Sequence, residues 1–149
     1  MKNLLNNCEV VRVSNDGVGT ASATPTKGTI IDMFGFESVM FVAAMADVVN
    51  LSEVDLKAAG ADEDDTAEMV LFTGTAGGVA DATSFDNKLV VLDLVRPGKR
   101  YIEAQLFHVD QNAPFDGIFA IKYNPLHKPT TQGATVAASA TLAVPADAA

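Results

Sequence analysis

The chain has 149 residues, 48% of them apolar and 19% charged, with a formal net charge of −9 at pH 7. One domain of this length can bury a full hydrophobic core. No apolar run reaches the roughly 18 residues of a membrane-spanning helix, so we expect no membrane contact. The mean hydropathy of +0.20 is high for a soluble monomer, which predicts that some apolar surface meets another chain.

The charges are distributed unevenly along the chain. Between Asp47 and Asp86 there are ten acidic residues and one basic residue, Lys57, whereas the remainder holds nine of each sign. Nucleic-acid binding needs clustered Lys and Arg side chains facing phosphates. The distribution therefore argues against a nucleic-acid partner and indicates a solvated acidic segment.

Short apolar runs separated by turn residues predict strands along most of the chain. Residues 8–14 predict a first strand, which the 15–17 turn and a loop to Gly28 follow. Residues 29–33 predict a second strand. A corner at residues 34–36 then leads into a third, buried strand at residues 38–46.

The next stretch changes character. Asn50 or Ser52 can cap a short helix that Gly60 ends. Residues 61–65 predict an acidic loop, residues 68–73 a strand and residues 74–87 a polar loop.

The second half predicts the clearest strand pair. Residues 88–95 are apolar on both faces, the 96–99 turn has the Pro-then-Gly order of a type II turn, and residues 100–109 predict the returning strand of a hairpin. A last strand follows at residues 118–123. Six or seven short strands favour an all-β sandwich of jelly-roll or Greek-key type with a short helix and extended termini.

The ends differ in composition from the middle. We assign residues 1–124 to the sandwich, with residues 1–7 as a candidate N-terminal arm, and residues 125–149 to an extended C-terminal tail. Residues 1–7 lack the apolar segment of a secretion signal, so we expect the protein to act where it is made. The tail is rich in Thr, Ala and Pro, which fits either an arm lying on a neighbour or a disordered terminus.

Residues with catalytic or metal-binding potential are few. The single cysteine, Cys8, excludes an internal disulfide and reads as a buried apolar residue. His108 shares a strand face with Ile102 and Leu106, which favours a structural histidine over a metal ligand. His127 falls in the tail. No catalytic, cofactor-binding or metal-binding residue is assigned, and no cofactor is expected.

Two loops and the aromatic content bear on ligand binding. Residues 74–78 are rich in glycine but lack the Lys-Ser/Thr of a phosphate-binding loop. Residues 62–65 lack the EF-hand spacing, which favours a solvated acidic loop over a calcium site. With no Trp and two Tyr, a sugar-stacking cleft is weakly supported.

The basic residues cluster at one place. The four residues Arg96, Lys99, Arg100 and Tyr101 surround the predicted turn and are the candidate interface. A solvated turn is the simpler interpretation. The alternative is a contact with an acidic neighbour such as another subunit's 62–65 loop, in which case the turn and the loop should lie on different surfaces.

Three segments together resemble a family of viral structural proteins. They are residues 31–41 (IDMFGFESVMF), residues 90–97 (VVLDLVRP) with Arg100-Tyr101, and residues 116–123 (DGIFAIKY). They resemble the decoration, or cement, proteins of tailed bacteriophages, in which an I-D-x-x-G-F-D/E-S/G-V-x-F segment precedes a Pro-containing turn, an Arg-Tyr strand, an Asp-Gly strand ending in Tyr-x-Pro, and a Thr/Ala-rich tail.

The resemblance implies a non-enzymatic β-sandwich on the outer surface of the virion capsid, made in the host cytoplasm. It implies two partners: the major capsid protein, whose neighbouring subunits it bridges in the expanded shell, and itself, as a homodimer or homotrimer. It also implies that the tail, or residues 1–7, adds an edge strand to the capsid protein. The alternatives are another virion component, such as a head fibre or a tail or adhesion subunit, and a jelly-roll enzyme or ligand-binding protein.

Overall fold

A computed structural model describes residues 3–143 of the chain, in which ten strands and one 3-10 turn at Thr66–Glu68 are found. The strands are β1 (Cys8–Ser14), β2 (Ser22–Lys27), β3 (Ile31–Asp32), β4 (Phe36–Met45), β5 (Glu53–Ala61), β6 (Val70–Leu71), β7 (Ala76–Val79), β8 (Leu89–Leu94), β9 (Tyr101–Val109) and β10 (Phe115–Pro125). The all-β prediction is confirmed.

The strands form two antiparallel sheets. The four-stranded sheet has the order β1-β10-β4-β8, and the six-stranded sheet has the order β2-β9-β5-β6, with β3 also paired to β9 and β7 to β5. Counting β2 with β3 and β6 with β7 as single interrupted strands leaves eight, which pair first with eighth, second with seventh, third with sixth and fourth with fifth. This is one long antiparallel hairpin rolled into two sheets, which is the jelly-roll form of the predicted jelly-roll or Greek-key sandwich.

The hydrophobic core lies between the inward faces of the two sheets. Alternate residues of each central strand point inward, as the two-residue period of a strand requires. On β4 and β9 the fully buried side chains include Phe41, Ile102 and Leu106. The core therefore depends on strands that are distant in sequence.

The predicted helix around residues 50–60 is wrong. This segment is β5, which lies between β9 and the short strands β6 and β7. Val54, Leu56 and Ala58 are buried at every second position, a strand period rather than a helical one. The two candidate caps serve loops instead: the Asn50 carboxamide oxygen accepts from Ala82 N, and the Ser52 hydroxyl donates to Gln111 O.

The predicted hairpin of residues 88–109 is also wrong. Both strands exist, but β8 pairs with β4 in one sheet and β9 pairs with β5 in the other. The 96–99 turn therefore crosses from sheet to sheet at one end of the sandwich. Gly98 has φ 74°, the positive value expected for the residue that follows Pro in such a turn.

Several loop boundaries differ from the predictions as well. The strand predicted at residues 29–33 is reduced to β3, while β2 lies inside the predicted 18–28 loop. There Pro25 is tolerated because β2 is an edge strand. Similarly, β7 lies inside the predicted 74–87 loop, and the strand predicted at residues 68–73 is only β6.

The described part of the tail folds back on its own chain. Residues 126–143 form no strand or helix. Along the outer edge of β1, the Gln132 carboxamide accepts from Val10 N and the Thr135 hydroxyl accepts from Arg12 N, while Thr130 Oγ1 donates to Cys8 O. Side chains of the tail thus cap this edge. Residues 1–2 and 144–149, which belong to the predicted arm and tail, lie outside the described residues.

No helix in the described range is long and apolar enough to span a membrane.

Candidate interaction surface

Three of the predicted interface residues line a cavity that the sequence did not predict. The 96–100 turn lies beside the 33–37 corner that leads into β4, and between them is a cavity of about 430 Å³. Phe34, at the tip of this corner, is 77% exposed. An exposed aromatic ring beside Arg and Lys side chains can bind an apolar side chain or a peptide segment.

Arg100 is the most constrained of the four predicted residues. Its guanidinium makes a bidentate pair with Asp32, at 3.0 Å from Nε to Oδ1 and 2.9 Å from Nη2 to Oδ2. It also lies 5.2 Å from the ring centres of both Phe34 and Tyr101. Arg100 therefore fixes the corner to the start of β9, and its planar fork suits this role better than a lysine would.

The hydrogen bonds from Arg100 lower the pKa of the Asp32 carboxyl. A lowered folded-state pKa stabilises the fold above the ordinary Asp pKa of about 3.9 and loses this effect as the pH falls through the lowered value. We expect Asp32→Asn to be less stable than the parent protein at pH 7, and the difference to be smaller at pH 3, below the ordinary Asp pKa of about 3.9. Urea unfolding at both pH values measures this, with Arg100→Gln as the matched variant. A difference that is the same at both pH values would contradict the prediction.

Arg96 and Lys99 are paired within the chain. Lys99 Nζ lies 3.0 Å from Asp62 Oδ2, and Arg96 Nε lies 3.6 Å from Glu37 Oε2. The basic turn and the acidic 62–65 loop thus share one surface, contrary to the arrangement expected if they bridge subunits. The side chain of Arg96 is still 76% exposed and is open to a partner.

A second surface is the outer face of the four-stranded sheet. Leu89 and Val91 of β8 are 62% and 44% exposed there. The neighbouring outward residues of β4 and β10 are also apolar and partly exposed: Met40, Ala44, Phe119 and Ile121. An apolar sheet face of this kind is a candidate interaction surface. The sequence signal for it was the strand that is apolar on both faces.

Few charges interrupt this face. Asp93 of β8 accepts a hydrogen bond of 2.6 Å from the Tyr123 hydroxyl. Burial, followed by this bond to Asp93, raises the pKa of Tyr123, so the phenol stays protonated as the donor. The acidic 62–65 loop lies on the outer side of the other, six-stranded sheet. Thr66, which directly follows this loop, donates from Oγ1 to the buried Glu103 of β9. Acidic and apolar surfaces are thereby separated.

The remaining candidates for chemistry take structural positions. His108 is buried and its Nε2 lies 2.8 Å from Thr26 Oγ1, as expected for a structural histidine, although its Nδ1 has no partner. Cys8 is buried as predicted, and burial raises the pKa of its thiol. Asp65 caps the 3-10 turn through Ala67 N.

Across residues 3–143, no three His, Cys, Asp or Glu side chains are grouped to hold a metal ion. Comparison with protein-family models found no match, and neither did comparison with curated proteins or with solved structures.

Proposed function

We propose that this chain is a decoration protein, which binds the outer surface of a bacteriophage capsid and bridges major capsid protein subunits in the expanded shell. In this role it is a structural component of the virion and not an enzyme. A protein that binds only the expanded lattice stabilises that state by its differential affinity for the two states. Many copies on one shell add their contributions.

The observation that carries this proposal is the broad apolar outer face of the four-stranded sheet. The face spans four strands and has few charges in a chain of net charge −9. Burial of such a face against a partner contributes roughly 25 cal/mol per Å² of apolar area. A rigid sheet also loses little conformational entropy on binding, which suits a protein that clamps a lattice.

The cavity beside the 96–100 turn supplies a second contact in this proposal. Phe34 and Arg96 project at the end of β4 and β8, next to the apolar face. An acidic residue of a capsid subunit would pair with Arg96, while an apolar side chain would fill the space beside Phe34. Contacts with two subunits at once would make the protein a bridge.

The proposal is tested by sedimenting the protein with expanded and with unexpanded empty shells of the phage that carries its gene. We expect saturable binding to expanded shells and little to unexpanded ones. Phe34→Ser and Ile121→Thr should each weaken binding about ten-fold, since interface aromatic and apolar anchors are worth 1 kcal/mol or more.

Val79→Ser, on β7 of the other sheet and 58% exposed, is the matched control and should bind as the parent protein does. Thermal unfolding of each variant shows whether its fold is intact. Absence of binding to both kinds of shell, or equal binding to both, would contradict the proposed role.

A second candidate is a virion adhesion subunit, and the exposure of Phe34 favours it. Receptor-binding loops often present aromatic side chains, and Phe34 stands at the tip of a corner over a cavity. Saturable binding of the purified protein to host cells, lost in Phe34→Ser but not in Ile121→Thr, would support adhesion over decoration.

A further inference from the structure

The strand β8 forms an open edge of the four-stranded sheet. Within residues 3–143 its ladder partner is β4 alone. Lys88 O accepts from Met45 N, and backbone groups of successive residues in an antiparallel pair alternate in direction. Accordingly, Val90, Leu92 and Leu94 bond to β4. The N–H and C=O groups of Leu89, Val91 and Asp93 point away from the sheet.

The two edges of this sheet differ in how their backbone groups are bonded. Side chains of Gln132, Thr135 and Thr130 cap the outer edge of β1. In contrast, β8 has the sequence LVVLDL, with no Pro, no Lys and no bulge in its register with β4. Edge strands without such protection pair readily with another chain.

We infer that β8 pairs antiparallel with β8 of a second copy, so that two four-stranded sheets become one sheet of eight strands. This goes beyond the proposed function, because it names a contact between two copies of this chain, and it does not depend on shell binding. The two apolar outer faces then continue across the junction as one larger surface.

The register follows from the side chains of β8. With the two-fold axis at Val91, the backbone N–H and C=O groups of Val91 bond to those of Val91 in the second copy. In this register Leu89 of one copy lies opposite Asp93 of the other. A shift of two residues toward the C-terminus would instead place Asp93 directly opposite Asp93, and like charges in that position are destabilising. The centred register is therefore preferred.

Charges at the ends of β8 favour the same arrangement. Arg96 follows Val91 by five residues and Asp86 precedes it by five. Antiparallel pairing about Val91 therefore brings the end that carries Arg96 alongside the end of the second copy that carries Asp86. Groups of opposite charge then lie near each other at both ends of the junction. These are in addition to their contacts within one chain, where Arg96 pairs with Glu37 and the Asp86 carboxylate accepts from Val48 N.

The experiment is sedimentation equilibrium of the full-length protein, without shells, over a range of concentrations. We expect a dimer. Val91→Lys places two cations at the two-fold axis, so its dimer dissociation constant should rise at least about a hundred-fold. Val79→Lys is the matched control, because Val79 is 58% exposed on β7 of the other sheet, and it should remain a dimer.

A cross-link tests the register. Hydrogen-bonded residues that face each other across antiparallel strands have Cα atoms about 5.5 Å apart, within the range that a disulfide accepts. Val91→Cys should therefore give a disulfide-linked dimer on mild oxidation, whereas Val79→Cys and the parent protein with buried Cys8 should not. Equal cross-linking at positions 91 and 79 would overturn the register.

The two proposals fail separately. A parent protein that is monomeric at every concentration, or a Val91→Lys variant that dimerises like the parent, overturns the pairing of β8. A dimer of the expected kind that does not sediment with shells supports this inference and contradicts the decoration role.

Discussion

Replacing Leu56 with Ala is expected to lower the free energy of unfolding by about 3 kcal/mol, since Leu→Ala in a packed core costs about 2–5 kcal/mol. Leu56 is fully buried on β5, between the two sheets. The loss combines the transfer of the side chain with the cavity that remains, because the strands on either side cannot close around it. Urea unfolding followed by circular dichroism measures the change.

Leu142→Ala is the matched control for this prediction, because it makes the same chemical change at a side chain that is 84% exposed. It should alter the free energy of unfolding by less than about 0.5 kcal/mol. The comparison also tests whether residues 53–61 form a buried strand, since a Leu on a short surface helix would behave like Leu142. A loss below about 1 kcal/mol for Leu56→Ala would therefore contradict the central position of β5.

Lys122→Met is expected to destabilise the protein by about 2 kcal/mol. Lys122 is buried, and its ammonium lies 3.0 Å from the Glu9 carboxylate and donates to Asp32 O at 3.1 Å. Removal of one partner of a buried ion pair costs about 3–5 kcal/mol, and the partial exposure of Glu9 reduces this figure. Thermal and urea unfolding of the variant give the measured cost.

A double-mutant cycle separates the ion pair from the packing of the lysine. Glu9→Gln combined with Lys122→Met should cost about 1 kcal/mol less than the sum of the two single changes, because the double variant leaves no unpaired charge. Additive effects would show that Lys122 acts through its contacts with Asp32 and the Phe36 ring, 4.8 Å away. Because these contacts hold the 33–37 corner, Lys122→Met should also weaken any binding that depends on Phe34.

The positions of the longer strands were the feature of the fold that the sequence predicted best. β1, β4, β9 and β10 lie where alternating or β-branched apolar runs predicted them. Each is long enough for a clear local pattern and is bounded by Gly, Pro, Asn or Asp. The strands β2 and β7 were missed, and β3 and β6 are shorter than the strands predicted there, since two to six residues of mixed polarity carry little periodic signal.

The helix prediction at residues 50–60 failed because capping residues and glycine gave a local helical signal that the tertiary structure overrode. Ala58, Ala59 and Gly60 have little β-propensity of their own. They form a strand because β9 lies beside them along nine paired residues. Such pairing is invisible in the local sequence.

The candidate site was predicted in part. The cluster of Arg96, Lys99, Arg100 and Tyr101 was recognised, but Phe34 was seen as a corner and not as the wall of a cavity. Arg100 forms an ion pair with Asp32, and Lys99 forms one with Asp62. A charge in sequence has no visible partner until the fold brings one within reach, so which of these cations is open to another protein had to come from the structure.

The sequence by itself determined the all-β class, a sandwich of jelly-roll or Greek-key type and an excess of apolar residues, because strand periodicity and composition are local properties that survive in any arrangement of the strands. The tertiary structure alone decided which strands are neighbours, that β8 and β9 belong to different sheets, and that one edge is capped by the tail while the other stays open. These features depend on contacts between residues up to 127 positions apart. Their free energy comes from burial between whole sheets, and no local segment encodes it.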